Sequence, residues 1–338
     1  MSTAFSTRTK VFILAGPTAS GKTELLLELF GSGSGAVSST CPRAVVLSAD
    51  SMQAYRGMDI GTAKPGPELL ARLPHRLIDI LEPSQQYTAG DFVRLAESEC
   101  AEIAASGALP VLSGGTGFYL RSFLCGMPTA PAADATLRSE VARDLRERGA
   151  GALREELRSV DPESEGRIHP ADLYRLTRAV EIVRATGRPL GDFASPESAR
   201  DDFDLLVVGL ERPREELYAR IDARVDAMFE AGLAREFLEL RRAGFRESSP
   251  GMRAIGYREF YDLPAELFDL EPGLFERRPE VKALREAIKL DTRRYAKRQL
   301  TFFRALPGVR WMPPEAAALG ELVSAFLAGE GSNLEGAR

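Results

Sequence analysis

The sequence predicts an α/β fold built on a doubly wound parallel sheet with a helical insertion, and three observations predict it. Short apolar runs typical of buried strands alternate with helical patterns over residues 1–128. Between 129 and 200 the composition becomes charged and amphipathic, with no convincing strand. A strand-like run then returns, and arginine-rich helices follow it over 201–328. We therefore expect a core in two parts, an insertion domain and a flexible tail at 329–338.

Individual elements follow from apolar runs and from helical spacing. In chain order, the expected strands are 11–15, 44–48, 77–80, 110–113 and 205–210. Each is a short apolar run, which is typical of a buried parallel strand. The expected helices are 22–30, 89–106, 141–160 and 173–185. Beyond residue 212 the chain is expected to be helical again.

Composition excludes several classes of protein. The 338 residues are 44% hydrophobic and carry a net charge of −5, which allows a real core and argues against general coating of nucleic acid. Three widely spaced cysteines and two isolated histidines argue against a disulfide framework, a zinc site and a histidine-based triad. No apolar run is long enough to span a membrane and no signal-peptide core is visible. We therefore expect a cytoplasmic protein with no membrane partner.

Residues 16–23 read GPTASGKT and match the pattern GxxxxGK[ST] between a predicted strand and a predicted helix. Backbone N–H groups and a helix N-terminus present positive charge to a polyphosphate, while the Lys22 ammonium reaches its oxygens and the Thr23 hydroxyl can bind Mg²⁺. The fold is therefore expected to be P-loop NTPase-like. A nucleotide such as ATP is the usual occupant, although a diphosphate fits the same loop. The expected phosphate-binding residues are Gly16, Pro17, Thr18, Ala19, Ser20, Gly21, Lys22 and Thr23.

Two further segments follow predicted strands at the same edge of the sheet. Asp50 comes just after the strand at 44–48, where ligands bind in open α/β sheets. Its carboxylate could hold Mg²⁺, act as a general base or cap a helix. The strand at 110–113 leads into a glycine-rich turn at 114–117, which suits either a ligand contact or a tight turn.

Basic residues concentrate in the later helices. Arg175 and Arg178 share one helical face, and Arg220 and Arg224 share another. The segment 285–304 carries seven basic residues against two acidic ones. Each face could simply be solvated, but the concentration in an acidic protein makes RNA a candidate partner. Cations stacked four residues apart in this segment are Lys289, Arg293 and Lys297.

Eight motifs can be matched together over residues 10–304. They are GPTASGKT (16–23), ADSMQAYRGMDIGTAKP (49–65), PHRLIDILEP (74–83), SGGTGFYL (113–120), DLYRLTRAVEI with TGRPL (172–190), LYARIDARVDAMFEAGL (217–233), MRAIGYREF (252–260) and YAKRQLTFFR (295–304). With these motifs the chain resembles the bacterial tRNA dimethylallyltransferases, also called tRNA isopentenyltransferases. The second motif is the most specific of the set.

The resemblance implies an activity and a catalytic set. Similar enzymes transfer a dimethylallyl group from dimethylallyl diphosphate to N6 of adenosine 37, in tRNAs that read codons beginning with U, and release diphosphate. Asp50 would act as the base, because adenine N6 is a poor nucleophile. Lys22, Arg220 and Mg²⁺ on Thr23 would stabilise the departing diphosphate, and Thr116 would lie close to the reacting ends.

The resemblance also implies RNA contacts, because N6 must leave a stacked anticodon loop to react. The insertion would hold the anticodon stem-loop, and the helix around Lys297, Arg298 and Gln299 would add a contact. We expect the enzyme to be a monomer. The implied tRNA-binding residues are Asp50, Ser51, Met52, Gln53, Thr116, Arg138, Tyr174, Arg175, Leu176, Thr177 and Arg178.

Three alternative functions stay open at this point. A P-loop nucleotide kinase would share the loop and Mg²⁺ but would not need the basic helices. An adenylate dimethylallyltransferase would share the loop and Asp50 but would not need the insertion. A GTPase-like RNA-binding switch needs a guanine-specificity motif such as NKxD, which we do not find. Aromatic residues that could either line a prenyl pocket or pack in the core are Tyr55, Phe92, Phe118 and Tyr119.

Overall fold

A computed structural model of the chain describes residues 8–32, 43–131, 134–193 and 196–330. Cys41, most of the Gly/Ser-rich stretch that follows the first helix, and residues 331–338 of the expected tail lie outside these ranges. The described chain forms two compact units. The first comprises the residues up to Leu124 and from Ala199 onward, and the second is Cys125–Ser198. The second unit overlaps the insertion expected at 129–200.

Six parallel strands form one sheet in the first unit, which confirms the predicted doubly wound α/β fold. The strands are β1 (Thr9–Ala15), β2 (Ala44–Ser48), β3 (His75–Arg76), β4 (Leu109–Gly114), β5 (Phe203–Leu210) and β6 (Arg310–Met312). Their order in the sheet is β3-β2-β4-β1-β5-β6. The central strand β1 pairs Ala15 with both Gly114 and Gly209, so that several strands end at one edge. Its apolar residues are fully buried, as expected for a strand covered on both faces.

Helices cover the sheet or build the second unit. In chain order they are α1 (Lys22–Phe30), α2 (Pro67–Arg72), α3 (Ala89–Ala105), α4 (Gly117–Cys125), α5 (Ala135–Val160), α6 (Pro162–Arg167), α7 (Leu173–Thr186), α8 (Arg214–Glu230), α9 (Leu233–Arg242), α10 (Pro272–Glu276), α11 (Pro279–Arg304) and α12 (Ala316–Ala328). Within the described ranges, none of these helices has the length and apolarity to cross a membrane.

The second unit is entirely helical and has a core of its own. Helices α5 and α7 pack through Leu153, Leu157, Leu176 and Val180, all of which are fully buried. Within α5 the chain kinks at Gly149, whose φ of 77° is left-handed. Because these residues bury one another, the charged composition of this segment still supports a packed unit.

The predicted strand at 77–80 is wrong, and the structure shows why. Leu77 and Asp79 adopt left-handed backbone conformations with φ of 63° and 52°, which no strand contains. The pairing with β2 ends after the two residues of β3. Beyond it the N–H groups of Asp79 and Ile80 donate to carbonyls of Gln53 and Ala54. The apolar residues therefore belong to a loop that packs beside the end of β2.

The expectation that the chain is helical again beyond 212 is also wrong in part. Strand β6 adds a sixth, three-residue strand at one edge of the sheet, beside β5. Trp311 lies against Gly209, where a Cβ would come within 2.8 Å of its ring. Three short 3₁₀ turns lie between α9 and α10, and the segment 253–258, which joins the first turn to the second, lines the pocket described next.

Candidate active site

One pocket of about 390 Å³ opens at the carboxyl edge of the sheet in the first unit. This volume is typical of small-ligand sites. Its walls are the loop between β1 and α1, the ends of β2 and β4, the loop at 61–65, and parts of α8 and α11. The pocket therefore joins the two glycine-rich turns and Asp50, as their positions after parallel strands predicted.

The phosphate loop, residues 16–23, connects β1 to α1 by a sharp turn. Gly21 precedes the helix with φ of 96°, a left-handed conformation that favours glycine. The Lys22 ammonium donates to the carbonyls of Gly16 and Pro17, both at 2.8 Å. Burial and, after it, the charge of Arg224 lower the pKa of Lys22 to about 8, although Asp50 and Glu24 act against this shift. A cation is thus held in the pocket with no carboxylate bonded to it in the part of the chain that the structure describes.

Hydroxyl groups in the phosphate loop suit an oxygen-rich ligand. The Ser20 Oγ atom is buried and has no hydrogen-bond partner among the described residues, which is costly unless a ligand supplies one. Thr23 lines the same pocket as Asp50. Among the described residues, no cluster of three acidic, histidine or cysteine side chains could hold a metal by itself. The residues present fit Mg²⁺ as phosphate sites usually hold it. One or two protein oxygens would bind the ion, and phosphate and water would supply its other ligands.

Asp50 is fixed at the end of β2 by a close approach of β4. A Cβ on Gly114 would lie 2.2 Å from the Ala49 carbonyl carbon, so only glycine fits there. Thr116 N donates to the Ala49 carbonyl at 3.0 Å, and Ser51 N donates to Thr116 Oγ1 at 2.9 Å. Asp50 Oδ1 accepts from Met52 N at 3.0 Å and the carboxylate lines the pocket. The structure thus brings Asp50, Lys22 and the Thr116 turn together.

Gln299 of α11 ties the two glycine-rich turns to each other. Its Oε1 accepts from Thr18 N at 2.9 Å, and its Nε2 donates to the Gly115 carbonyl at 2.7 Å. The side chain is buried. Gln299, for which the resemblance implied an RNA contact, is thus bonded inside the first unit and also lines the pocket. Tyr295, one helical turn earlier, also lines the pocket, and burial next to Asp50 raises the pKa of its hydroxyl.

The two arginines of α8 occupy different places. Arg220 Nε donates to the Ala19 carbonyl at 2.9 Å, and the guanidinium lies 3.5 Å from Glu24, so Arg220 supports the phosphate loop from outside the pocket. Arg224 lines the pocket and makes no ion pair with any residue in the described ranges. Burial lowers the pKa of Arg224, while Asp50 and Glu24 favour its charged form. Arg224 therefore lines the pocket, and Arg220, which the resemblance assigns to the diphosphate, contacts the phosphate loop beside it.

The stacked basic face expected on α11 is mostly used inside the molecule. Lys289 pairs with Asp226 at 2.8 Å and with Glu286 at 2.9 Å, and is only 9% exposed. Arg293 pairs with Asp222 at 2.8 Å. Because Asp226 and Asp222 lie on α8, the two cations fasten one helix to the other. Lys297 and Arg298 stay exposed and available.

The four aromatic residues with an open assignment do not line the pocket. Tyr55, Phe92 and Tyr119 are buried, and Phe92 stacks on Tyr119 with ring centroids 4.8 Å apart. Phe118 is half-exposed at the surface. Apolar side chains that do line the pocket come from α1, β2, α8, the 3₁₀ segment and α11, namely Leu26, Val46, Ile221, Val225, Met228, Ala254, Ile255 and Ile288.

In the second unit, the residues expected to bind tRNA divide into exposed and internal ones. Tyr174 is 82% exposed, and Arg138 and Arg175 are also exposed. Leu176 is fully buried in the core, so its side chain cannot touch RNA. Arg178 pairs with Glu181 at 3.2 Å and donates to the Pro131 carbonyl at 2.8 Å. The Thr177 hydroxyl donates to the Tyr174 carbonyl at 3.0 Å.

The remaining predicted residues lie in the first unit. Ser51, Met52 and Gln53 follow Asp50 along the pocket wall and are half-buried. Residues whose role sequence reasoning missed are Arg224, Tyr295 and the segment 253–258. The motif MRAIGYREF did mark that segment, but its letters indicate no chemistry by themselves.

Comparisons with known proteins agree with this geometry. The chain matches the family model described as IPP transferase over residues 53–306. A tRNA dimethylallyltransferase from Geobacter sulfurreducens is 42% identical over 306 residues, which cover 90% of this chain and 92% of the relative. The crystal structure of the full-length tRNA isopentenylpyrophosphate transferase from Bacillus halodurans is 35% identical, with a TM-score of 0.64 covering 96% of this chain and 97% of that one. A eukaryotic dimethylallyltransferase acting on tRNA, 23% identical, shares the fold with a TM-score of 0.76 over 97% of this chain and 81% of that one.

Proposed function

The chain belongs to the IPP transferase family, and from that premise we propose that it transfers a dimethylallyl group from dimethylallyl diphosphate to N6 of adenosine 37 in tRNA. The acceptors are tRNAs that read codons beginning with U, and the second product is diphosphate. One observation carries the proposal: the phosphate loop, Asp50 and an apolar wall share a single pocket. A diphosphate, a base and a short prenyl chain each find matching chemistry there.

On the donor side, the phosphate loop binds the diphosphate and stabilises its departure. As the bond between the allylic carbon and oxygen breaks, negative charge grows on oxygen and positive charge on carbon. The Lys22 ammonium, the loop N–H groups and Arg224 stabilise that oxygen. The buried Ser20 Oγ, which has no partner among the described residues, belongs to the same loop. When bound, Mg²⁺ on Thr23 would supply further charge neutralisation.

On the acceptor side, Asp50 receives the proton. The lone pair of adenine N6 forms the new bond to the allylic carbon while the carbon–oxygen bond breaks. N6 then gives one proton to the Asp50 carboxylate, which lines the pocket. The N–H group of Met52 donates to Oδ1 of this carboxylate and so fixes its orientation. Thr116 and Gln299 hold the backbone around Asp50 in place.

The second unit supplies side chains suited to RNA. Tyr174 presents an aromatic ring on which a base can stack, and Arg138 and Arg175 offer exposed charge for phosphates. These residues are the ones we assign to the anticodon stem-loop, with Lys297 and Arg298 from the first unit. Since the acceptor is tRNA, we place the enzyme in the cytoplasm, and we infer that it acts as a monomer.

The test is transfer of label from radioactive dimethylallyl diphosphate, with Mg²⁺, to an anticodon stem-loop that carries adenosine 37. We expect label on the RNA, and a loss of about 10²–10⁴-fold in kcat for Asp50→Asn, which keeps the shape but cannot accept the proton. Asp262→Asn, at an exposed position of the same unit, serves as the matched control. Label on AMP alone would establish the adenylate enzyme, and tight ATP binding without any transfer would restore the kinase.

A further inference from the structure

The carboxylate of Glu236, on α9, binds the backbone of one wall of the pocket. Glu236 Oε2 accepts from Asp59 N at 2.9 Å and from Ile60 N at 2.8 Å, and Oε1 accepts from Gly61 N at 3.1 Å. Three successive N–H groups on one carboxylate make a stronger and more directional restraint than neutral hydrogen bonds would. The loop at 59–63 is therefore tied to a helix that is distant in sequence.

Tyr257 completes this arrangement. Its hydroxyl donates to Glu236 Oε1 at 2.5 Å and accepts from Gly61 N at 3.1 Å. The ring is fully buried and so close to Gly61 that a Cβ there would come within 2.4 Å of it. Burial and the neighbouring Glu236 raise the pKa of Tyr257, so the hydroxyl keeps the proton that it donates.

The loop that these two residues hold reaches the reacting groups through Gln53. Gln53 Nε2 lies 3.3 Å from the Thr62 carbonyl and 3.4 Å from the Ala63 carbonyl, and its Oε1 accepts from Ser48 Oγ at 2.8 Å. Gly61, Thr62, Ala63 and Gln53 all line the pocket beside Asp50. A shift of the loop would therefore turn the amide of Gln53 away from the pocket.

We propose that Glu236 and Tyr257 form a positioning clamp that fixes the loop at 59–63 and, through it, the Gln53 amide on the acceptor side of the pocket. This inference rests on the proposed function for its kinetic consequence but not for its structural one. Lys64 secures the other end of the loop with bonds to Asp59 at 2.6 Å and to Asp79 at 2.5 Å. The clamp thus controls the part of the loop that faces the ligand.

Two variants test the clamp, each with a matched control. Glu236→Gln puts an N–H group where backbone donors need an acceptor, and Tyr257→Phe removes only the hydroxyl. Glu239→Gln on the exposed side of α9 and Tyr261→Phe in the adjacent 3₁₀ turn are the controls. We expect KM for the stem-loop to rise about tenfold in the clamp variants, with KM for dimethylallyl diphosphate within about twofold and Tm close to that of the controls.

Amide hydrogen exchange gives a readout that needs no transfer. Protection of Asp59, Ile60 and Gly61 is expected to fall at least about tenfold in Glu236→Gln, and to stay unchanged in Glu239→Gln. Unchanged protection would overturn the clamp, and so would lost protection with an unchanged KM for RNA. A fall in Tm together with a rise in KM for both substrates would mean that the two residues have a purely structural role, and it would overturn the clamp. If wild-type enzyme transfers nothing, the proposed function fails, and the exchange data still decide whether the clamp exists.

Discussion

The buried ammonium of Lys22 links pH to donor binding at the scale of a single residue. Its pKa is lowered from 10.5 to about 8, so the group is charged below about pH 8 and loses its charge above it. Only the charged form attracts a diphosphate. We therefore expect kcat/KM for dimethylallyl diphosphate to be level below about pH 8 and to fall by up to about tenfold per pH unit above it.

A pH profile of kcat/KM at saturating stem-loop checks this prediction. Lys22→Arg is the matched variant, because a guanidinium stays protonated throughout the range. Its profile should show no fall near pH 8, whatever its absolute rate. A wild-type profile that stays level to pH 10 would contradict the assignment of Lys22 to the diphosphate.

Single residues also show where sequence reasoning reaches its limit. The phosphate loop and Asp50 were predictable, because motif letters and position after a strand determine their place. Arg220 and Arg224 lie one turn apart on α8, and only the docking of that helix decides which one enters the pocket. Leu176 could have been recognised as core, since apolar residues recur at 176, 179, 180 and 183 with helical spacing. Tyr174 lies outside that spacing, and its side chain is exposed.

At the scale of elements, α11 combines cations with two different tasks. Lys289 fastens the helix to Asp226 of α8, while Lys297 and Arg298 are exposed near the other end. We expect Lys289→Met to lower the free energy of unfolding by about 1–2 kcal/mol, because it leaves a half-buried Asp226 with one fewer partner. RNA affinity should hardly change. The double variant Lys297→Ala, Arg298→Ala should do the reverse.

Urea unfolding and stem-loop titration at several salt concentrations separate the two tasks. For the double variant, the slope of log K against log salt should fall by about 1–2, since two phosphate contacts are lost. Equal RNA affinity for the double variant and wild type would remove this helix from the RNA surface. Net charge along the sequence could not reveal the division, because Asp226 and Asp222, which pair with Lys289 and Arg293, lie on another helix, α8.

A helix or strand could be predicted where its buried residues form a continuous apolar run or recur with helical spacing. Strands β2 and β4 and helix α1 were predictable, since each buries a continuous apolar run or stripe. The run at 77–80 has the same composition but is a loop, held by backbone bonds to residues 53 and 54. Apolar runs report burial, and burial does not require a strand. The short β6 was missed because three residues carry no period at all.

On the scale of the whole molecule, the residues that we propose for the two substrates are spread over two units with separate cores. All residues that we assign to the diphosphate belong to the first unit, and Arg138, Tyr174 and Arg175 belong to the second. The change of composition at 129 predicted a separate segment, because a parallel sheet demands apolar runs that this segment lacks. The surface of this segment that we assign to RNA was chosen instead from the exposure of individual side chains.

This division predicts that the second unit can lose RNA affinity without affecting the donor. Removing the ring of Tyr174 and the charge of Arg175 in a double alanine variant should raise KM for the stem-loop about ten- to hundredfold, because stacking and a phosphate contact are both lost. KM for dimethylallyl diphosphate and Tm should stay near wild-type values, since both side chains are exposed. Arg167→Ala is the control, because Arg167 is likewise an exposed arginine of this unit with a helical acidic partner, Glu163. If the control and the double variant raise KM equally, the RNA does not contact the face that Tyr174 marks.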